Sequence, residues 1–185
     1  MVTTAGVEQI SVKTISRIAT ACLFLTLAIA SQARGQDVRT IFLVRHADKI
    51  SDAPDALLSE GGHRRAQCLA KMLEEAHIQQ IYTSDLQRTQ QTAAPLAERL
   101  KLKPVAIPLS QPEDLIEAIR SEQATNFLVV WHGGTLPMIL HALGAPEVAP
   151  IADPEYDRFF ILTLAKNEKH SLINFTVLRY CDREQ

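Results

Sequence analysis

Apolar residues along the chain fall into two patterns: short unbroken runs, and stretches where they recur every three or four positions. The first is the signature of a buried strand and the second of an amphipathic helix. The run TIFLV at 40–44 predicts a strand, and a helix follows from about Ser59 with an apolar stripe at Ala66, Leu69, Met72, Leu73 and Ala76. QIYT at 80–83 predicts a second strand. Ser84 and Gln87 have the spacing of a capping box that opens a helix to about Leu100, bent near Pro95. Residues 104–112 read as extended or loop, and 113–120 as a short helix. NFLVVW at 126–131 is a third buried strand, followed by a helix from about Thr135 with Pro137 in its first turn. RFFILTL at 158–164 and LINFTVLRY at 172–180 read as two later strands. This alternation predicts an α/β domain with a mostly parallel central sheet.

The amino-terminal segment has a different pattern. Lys13 and Arg17 precede an apolar and small-residue run at 18–30, with small residues at Ala28, Ala30, Ser31 and Ala33. The run is roughly 13 residues, short of the ~20 that span a bilayer. It reads as a cleaved secretory signal at 1–35 ahead of one domain at 36–185, with periplasmic or secreted placement and no stable membrane association after cleavage. The alternative is an uncleaved amino-terminal anchor. Cys22 lies inside the apolar run, which gives a lipoprotein cleavage site little support. Cleavage leaves Cys68 and Cys181, either a disulfide in an oxidising compartment or two separate thiols.

Composition narrows the partners. With 46% hydrophobic and 22% charged residues, the chain has enough apolar material for a sizeable core. A net charge of −2 gives no general attraction to nucleic acid, so any bound anion must be held by a local cluster of donors.

Such a cluster is present. Two apolar strands each end in a histidine, His46 and His132, and ligands of open α/β sheets sit outside the carboxyl ends of the strands. Arg45 adjoins His46, and Arg88 lies in the first turn of the helix fed by the strand at Tyr82. If the strands are neighbours, two imidazoles and two guanidiniums converge on a site suited to a phosphate dianion. Taken singly, a strand-end histidine is more often structural, and a first-turn arginine is usually solvated. Asp48, Asp52 and Asp55 read as a solvated acidic loop in preference to a cation site.

The motifs resemble those of the histidine phosphatase superfamily, the group that includes cofactor-dependent phosphoglycerate mutases. Leu43-Val-Arg-His-Ala47 is similar to its Arg-His-Gly signature, and Leu58-Ser-Glu-Gly-Gly62 with Ala66 to its following helix start. Tyr82-Thr-Ser-Asp-Leu-Gln-Arg-Thr89 with Thr92 resembles its arginine segment, and Val130-Trp-His-Gly-Gly-Thr135 its second-histidine motif. The likeness runs from about Thr40 to Gly144. Two departures stand out: Ala47 replaces a glycine, and Trp131 stands where a small residue is usual, either narrowing the pocket or packing beneath it.

The resemblance implies a three-layer α/β/α, phosphoglycerate mutase-like fold and a phosphatase that needs no metal or cofactor. It implies His46 as the nucleophile, with Arg45, Arg88 and His132 holding phosphate oxygens, acting on a small phosphomonoester or on phosphohistidine. A general acid would come from the segment before the third strand, where Glu113 and Asp114 stand, although both also suit a helix start. The chain lacks the long insertions associated with a mutase. No G-x-S-x-G, no cysteine-phosphatase loop and no P-loop occurs. The rival from another class is an envelope protein that binds a phosphorylated ligand without turning it over.

Overall fold

The computed structural model describes residues 38–121, 123–166 and 171–181, all within one compact unit, Asp37–Gln185. The signal expected at 1–35 lies outside the described residues. Ten elements follow in order: β1 (Val38–Arg45), α1 (Glu60–Leu73), β2 (Gln80–Ser84), α2 (Gln87–Leu100), β3 (Val105–Ile107), α3 (Pro112–Ser121), β4 (Asn126–Trp131), α4 (Leu136–Ala142), β5 (Arg158–Ala165) and β6 (Leu172–Arg179). The sheet order is β3-β2-β4-β1-β5-β6. β1, β2, β3 and β4 are parallel, and β5 pairs antiparallel with both β1 and β6, so it alone runs against the rest.

Side chains alternate across the sheet and build a core on each face. On one face Ile41, Leu43, Phe127, Val129, Trp131 and Phe160 pack against Leu115, Ile116 and Ile119 of α3 and Leu136, Ile139 and Leu140 of α4. On the other, Val44, Ile81, Leu128, Val130 and Phe159 pack against Leu69, Ala70 and Leu73 of α1 and Ala93, Leu96 and Ala97 of α2. β1 and β4 carry near-continuous apolar runs because both of their faces are covered, as a parallel sheet requires. The architecture is the three-layer α/β/α arrangement.

Several boundaries differ from expectation. α1 is capped by Ser59, whose hydroxyl accepts from the Gly62 amide at 3.1 Å, but it stops at Leu73. Met72 is exposed and Ala76 lies past the helix, so the apolar stripe is Ala66, Leu69, Ala70 and Leu73. α2 runs through Pro95 and ends at Lys101, which takes a left-handed conformation with φ 54° and donates to Ala97 and Glu98. The stretch expected as extended or loop contains β3, a short edge strand on β2.

Cys68 and Cys181 form a disulfide with a Cα–Cα distance of 6.1 Å, joining α1 to the end of β6 across 113 residues. One turn earlier, Arg65 donates to the Cys181 carbonyl (2.7 Å) and to the Asp48 carboxylate (2.7 Å). The cystine thus braces the helix that supports the turn after His46.

Candidate active site

β4 lies between β2 and β1, so the carboxyl ends of three parallel strands emerge side by side. Arg45 is level with Trp131 in the register, and the His46 amide donates to the Trp131 carbonyl at 2.8 Å, extending the ladder one residue beyond β1. His46 and His132 therefore leave adjacent strands at the same height, with ring centroids 5.3 Å apart. Both are buried.

Hydrogen bonds assign the protons on each ring. His46 Nδ1 lies 2.8 Å from the Ala47 carbonyl, so Nδ1–H donates and the Nε2 lone pair is left without a partner among the described residues. His132 Nδ1 lies 3.3 Å from Arg88 Nη2, a group that can only donate, so Nδ1 accepts and Nε2–H donates to Ser84 Oγ at 2.8 Å. Desolvation drives both rings toward neutrality. His46 is lowered to about 4 by burial, partly countered by its bond to Ala47 and reinforced by Arg45, Arg88 and Lys49. His132 is lowered to about 3 by burial, with His46, Arg88 and Arg45 adding to it. Above about pH 5 the site thus presents a neutral imidazole with an available lone pair, close to cationic side chains.

Ser84 does not cap α2, contrary to the capping-box expectation. The N-cap position is Leu86, without a side-chain bond, and the Gln87 amide is met by the Asp55 carboxylate at 2.7 Å. Ser84 is fully buried and binds Thr89 Oγ1 (2.9 Å) as well as His132, so its hydroxyl orients the second histidine. Thr92 Oγ1 accepts from the Ala47 amide at 2.9 Å and donates to the Arg88 carbonyl at 2.7 Å, tying α2 to the turn that carries His46. The two threonines are thus supports of the site.

Both departures from the family pattern are accommodated. The Ala47 methyl is fully buried in a small cluster with Leu58 and Ala66. Trp131 is fully buried in the core on the α3/α4 face, and its ring packs edge-on beside His132 at 5.9 Å. It packs beneath the site and does not narrow it.

The arginines are anchored from outside. Arg88 Nη1 donates to the Pro54 carbonyl at 2.6 Å, and Arg45 Nη1 donates to the carbonyls of Ala152 (3.1 Å) and Glu155 (3.3 Å). Arg45 Nη2 is ion-paired with Asp153, and its Cζ lies 4.3 Å from the centre of the Tyr156 ring, which is itself 5.8 Å from His46. Lys49 Nζ reaches the other Asp153 oxygen at 3.2 Å. Nε of Arg45 and Nε of Arg88 are both buried without a hydrogen-bond partner among the described residues.

The structure does not bring Glu113 to this cluster. Glu113 and Asp114 are exposed in the first turn of α3, and Glu113 lines a surface groove with Ile116, Arg120 and Ala142. Among the described residues, the charged side chains acting on the imidazoles are Arg45, Arg88 and Lys49 with the histidines themselves, and no carboxylate is among them. Asp48, Asp52 and Asp55 turn separately to Arg65, Lys49 and the Gln87 amide. Sequence reasoning missed Lys49, Asp153 and Tyr156, which meet the site from loops that carry no periodic signal.

The three-layer fold thus brings two facing imidazoles and two arginines together at the ends of its parallel strands. Residues 41–117 match the model of the histidine phosphatase superfamily (branch 1). A probable phosphoglycerate mutase, GpmB, of Yersinia enterocolitica is 39% identical over 75 residues, covering 37% of this chain and 35% of the relative. The chain thus spans about a third of the length of the curated relative it matches. Among solved structures, the fold is similar to a mycobacterial glucosyl-3-phosphoglycerate phosphatase (TM-score 0.57, 16% identity, covering 77% of this chain and 98% of that one). It is also similar to the protein histidine phosphatase SixA, solved with tungstate (TM-score 0.57, 19% identity, 76% and 96%). A structure described as mycobacterial hydrolase 2 superposes with a TM-score of 0.62 at 16% identity, covering 80% and 94%.

Proposed function

We propose that the protein is an exported phosphatase that hydrolyses small phosphomonoesters or phosphohistidine through a covalent phosphohistidine on His46. The observation that carries this reading is the pair of orphaned donors. Burying an N–H without a partner costs about 1–3 kcal/mol, and two such cationic donors flank the imidazole whose lone pair is available. A phosphoryl group on that lone pair would satisfy both. Phosphoryl transfer passes through a loose transition state, so positioning and charge neutralisation do most of the catalysis.

In the proposed sequence His46 Nε2 forms a bond to phosphorus as the bond from phosphorus to the leaving oxygen or nitrogen breaks. Water then attacks phosphorus, the P–N bond breaks, and orthophosphate leaves with the water's proton released to solvent. Arg45, Arg88 and His132 hold the non-bridging oxygens, and Ser84 keeps His132 in its tautomer. The disulfide supports placement in an oxidising compartment, in keeping with a cleaved signal at 1–35.

Incubation with p-nitrophenyl phosphate tests the reading. Steady turnover, with an acid-labile, alkali-stable phosphoenzyme on rapid quench, is expected, and both disappear in His46→Ala. Tight phosphate binding without turnover in the wild-type protein would instead make it a binding module.

The missing acid has its own consequence. Asp153 is ionised, because hydrogen bonds from Arg45 and Lys49 outweigh the opposing effect of burial and hold its carboxyl below the usual range. With no protonated carboxyl beside His46 among the described residues, on this reading the leaving oxygen departs with its negative charge. Across a series of aryl and alkyl phosphates, kcat/KM is expected to fall steeply as leaving-group pKa rises. A flat dependence would show that an acid acts after all.

A further inference from the structure

The immediate product of a phosphatase is a dianion that resembles the group it has just removed. A pocket holding only cations would grip orthophosphate as firmly as substrate and stall, since uniform binding gives no gain in turnover. The loop between α4 and β5 places a carboxylate where it bears on this difficulty. Asp153 pairs with Arg45 Nη2 through one oxygen and with Lys49 Nζ through the other at 3.2 Å. Its side chain is 47% exposed, at the mouth of the site.

Asp153 is not needed to aim Arg45. Two backbone carbonyls, Ala152 O at 3.1 Å and Glu155 O at 3.3 Å, fix Nη1, and the Tyr156 ring lies against the guanidinium at 4.3 Å. Those contacts already restrict rotation about the arginine stem. What the carboxylate adds is a negative charge beside the same guanidinium whose Nε is unpartnered.

Resting on the phosphatase reading above, we propose that Asp153 is the residue that sets how long phosphate stays. It balances Arg45 and Lys49 when the site is empty and repels the dianion when it is full. Arg45 thus serves two anions in turn, the resident carboxylate at Nη2 and the phosphate on its remaining donors. Asp153 therefore limits product inhibition at some cost in substrate affinity.

The test is the competitive inhibition constant of orthophosphate against p-nitrophenyl phosphate turnover, with melting temperatures to confirm folding. Asp153→Asn keeps an oxygen for Arg45 and removes the charge. It is expected to lower the phosphate inhibition constant about tenfold, which corresponds to about 1.4 kcal/mol of relieved repulsion. KM should fall in parallel and kcat should not rise. Asp153→Glu, which restores the charge, should return all three values toward wild type, an outcome that a merely structural role for the side chain would not give. Asp153→Ser carries the same expectation as Asn should that variant fail to fold.

A phosphate constant unchanged or weakened in the neutral variants would overturn the proposal and make Asp153 an anchor of Arg45. Failure of the wild-type protein to bind phosphate at all would instead overturn the phosphate-site reading, and this proposal with it.

Discussion

Arg88→Ala lowers kcat by about two to three orders of magnitude while the protein stays folded. Arg88 is half-buried at the start of α2, with one Nη on the Pro54 carbonyl, the other on His132 Nδ1, and Nε unpartnered. Two losses combine in the variant. The first is the charge: a guanidinium about 4 Å from a phosphoryl oxygen contributes ~4 kcal/mol at an effective dielectric of about 20, less whatever solvent screens. The second is tautomer control, because His132 Nδ1 no longer faces an obligate donor and the ring is free to swap its protons. Removing one preorganised donor from a transition-state site typically costs about a hundred- to a thousandfold. Arg88→Lys keeps the charge but loses the planar fork, and should recover only part of the rate. Quenched-flow measurement of phosphoenzyme formation places the loss in the chemical step. An Arg88→Ala protein that turns over within about fivefold of wild type would remove Arg88 from the site altogether.

The strands that lead to this arginine's helix and to both histidines were legible in the sequence. Continuous apolar runs in β1 and β4 show that both faces are covered, and parallel neighbours necessarily end at the same edge of the sheet. That is enough to bring His46 and His132 together. Ser84 shows where such reading stops. A serine at a strand end with a glutamine three positions on has the pattern of a cap, and only the fold shows its hydroxyl committed to His132 and Thr89. β3 escaped because three residues between Pro104 and Pro108 are too few to show a period. Glu113 looked like an acid because carboxylates were scarce in its segment, yet carboxylates at a helix start are satisfied by the helix dipole and need no other role. Asp153 and Tyr156 were invisible for a different reason. They sit in an irregular loop, and their closeness to Arg45 comes from chain return across more than 100 residues, a separation no local pattern encodes.

The last expected result separates two adjacent glycines of the second-histidine motif. A Cβ added at Gly133 would lie 2.6 Å from the Ile151 carbonyl oxygen and 3.2 Å from Arg45 Nε. The same atom at Gly134 would meet nothing within 4 Å. The close approach at 133 is what lets β4's end, the loop after α4 and the Arg45 side chain share one small volume. In Gly133→Ala the backbone of the 151–155 loop must retreat, and with it the Ala152 and Glu155 carbonyls that hold Arg45. Overpacking of this kind costs about 1–3 kcal/mol, which in a domain of this size lowers the melting temperature by roughly 2–12 °C. The kinetic loss should exceed the loss of folded protein. At 25 °C, where the variant is still native, kcat/KM is expected to fall at least about a hundredfold, because displacement of about 1 Å at a positioning group has consequences of that order. Gly134→Ala should leave the melting temperature within about 2 °C of wild type, since ordinary surface substitutions stay within about 0.5 kcal/mol. Equal melting temperatures for the two variants, or a Gly133→Ala enzyme of full activity, would mean that the loop and Arg45 are not packed against this turn as described.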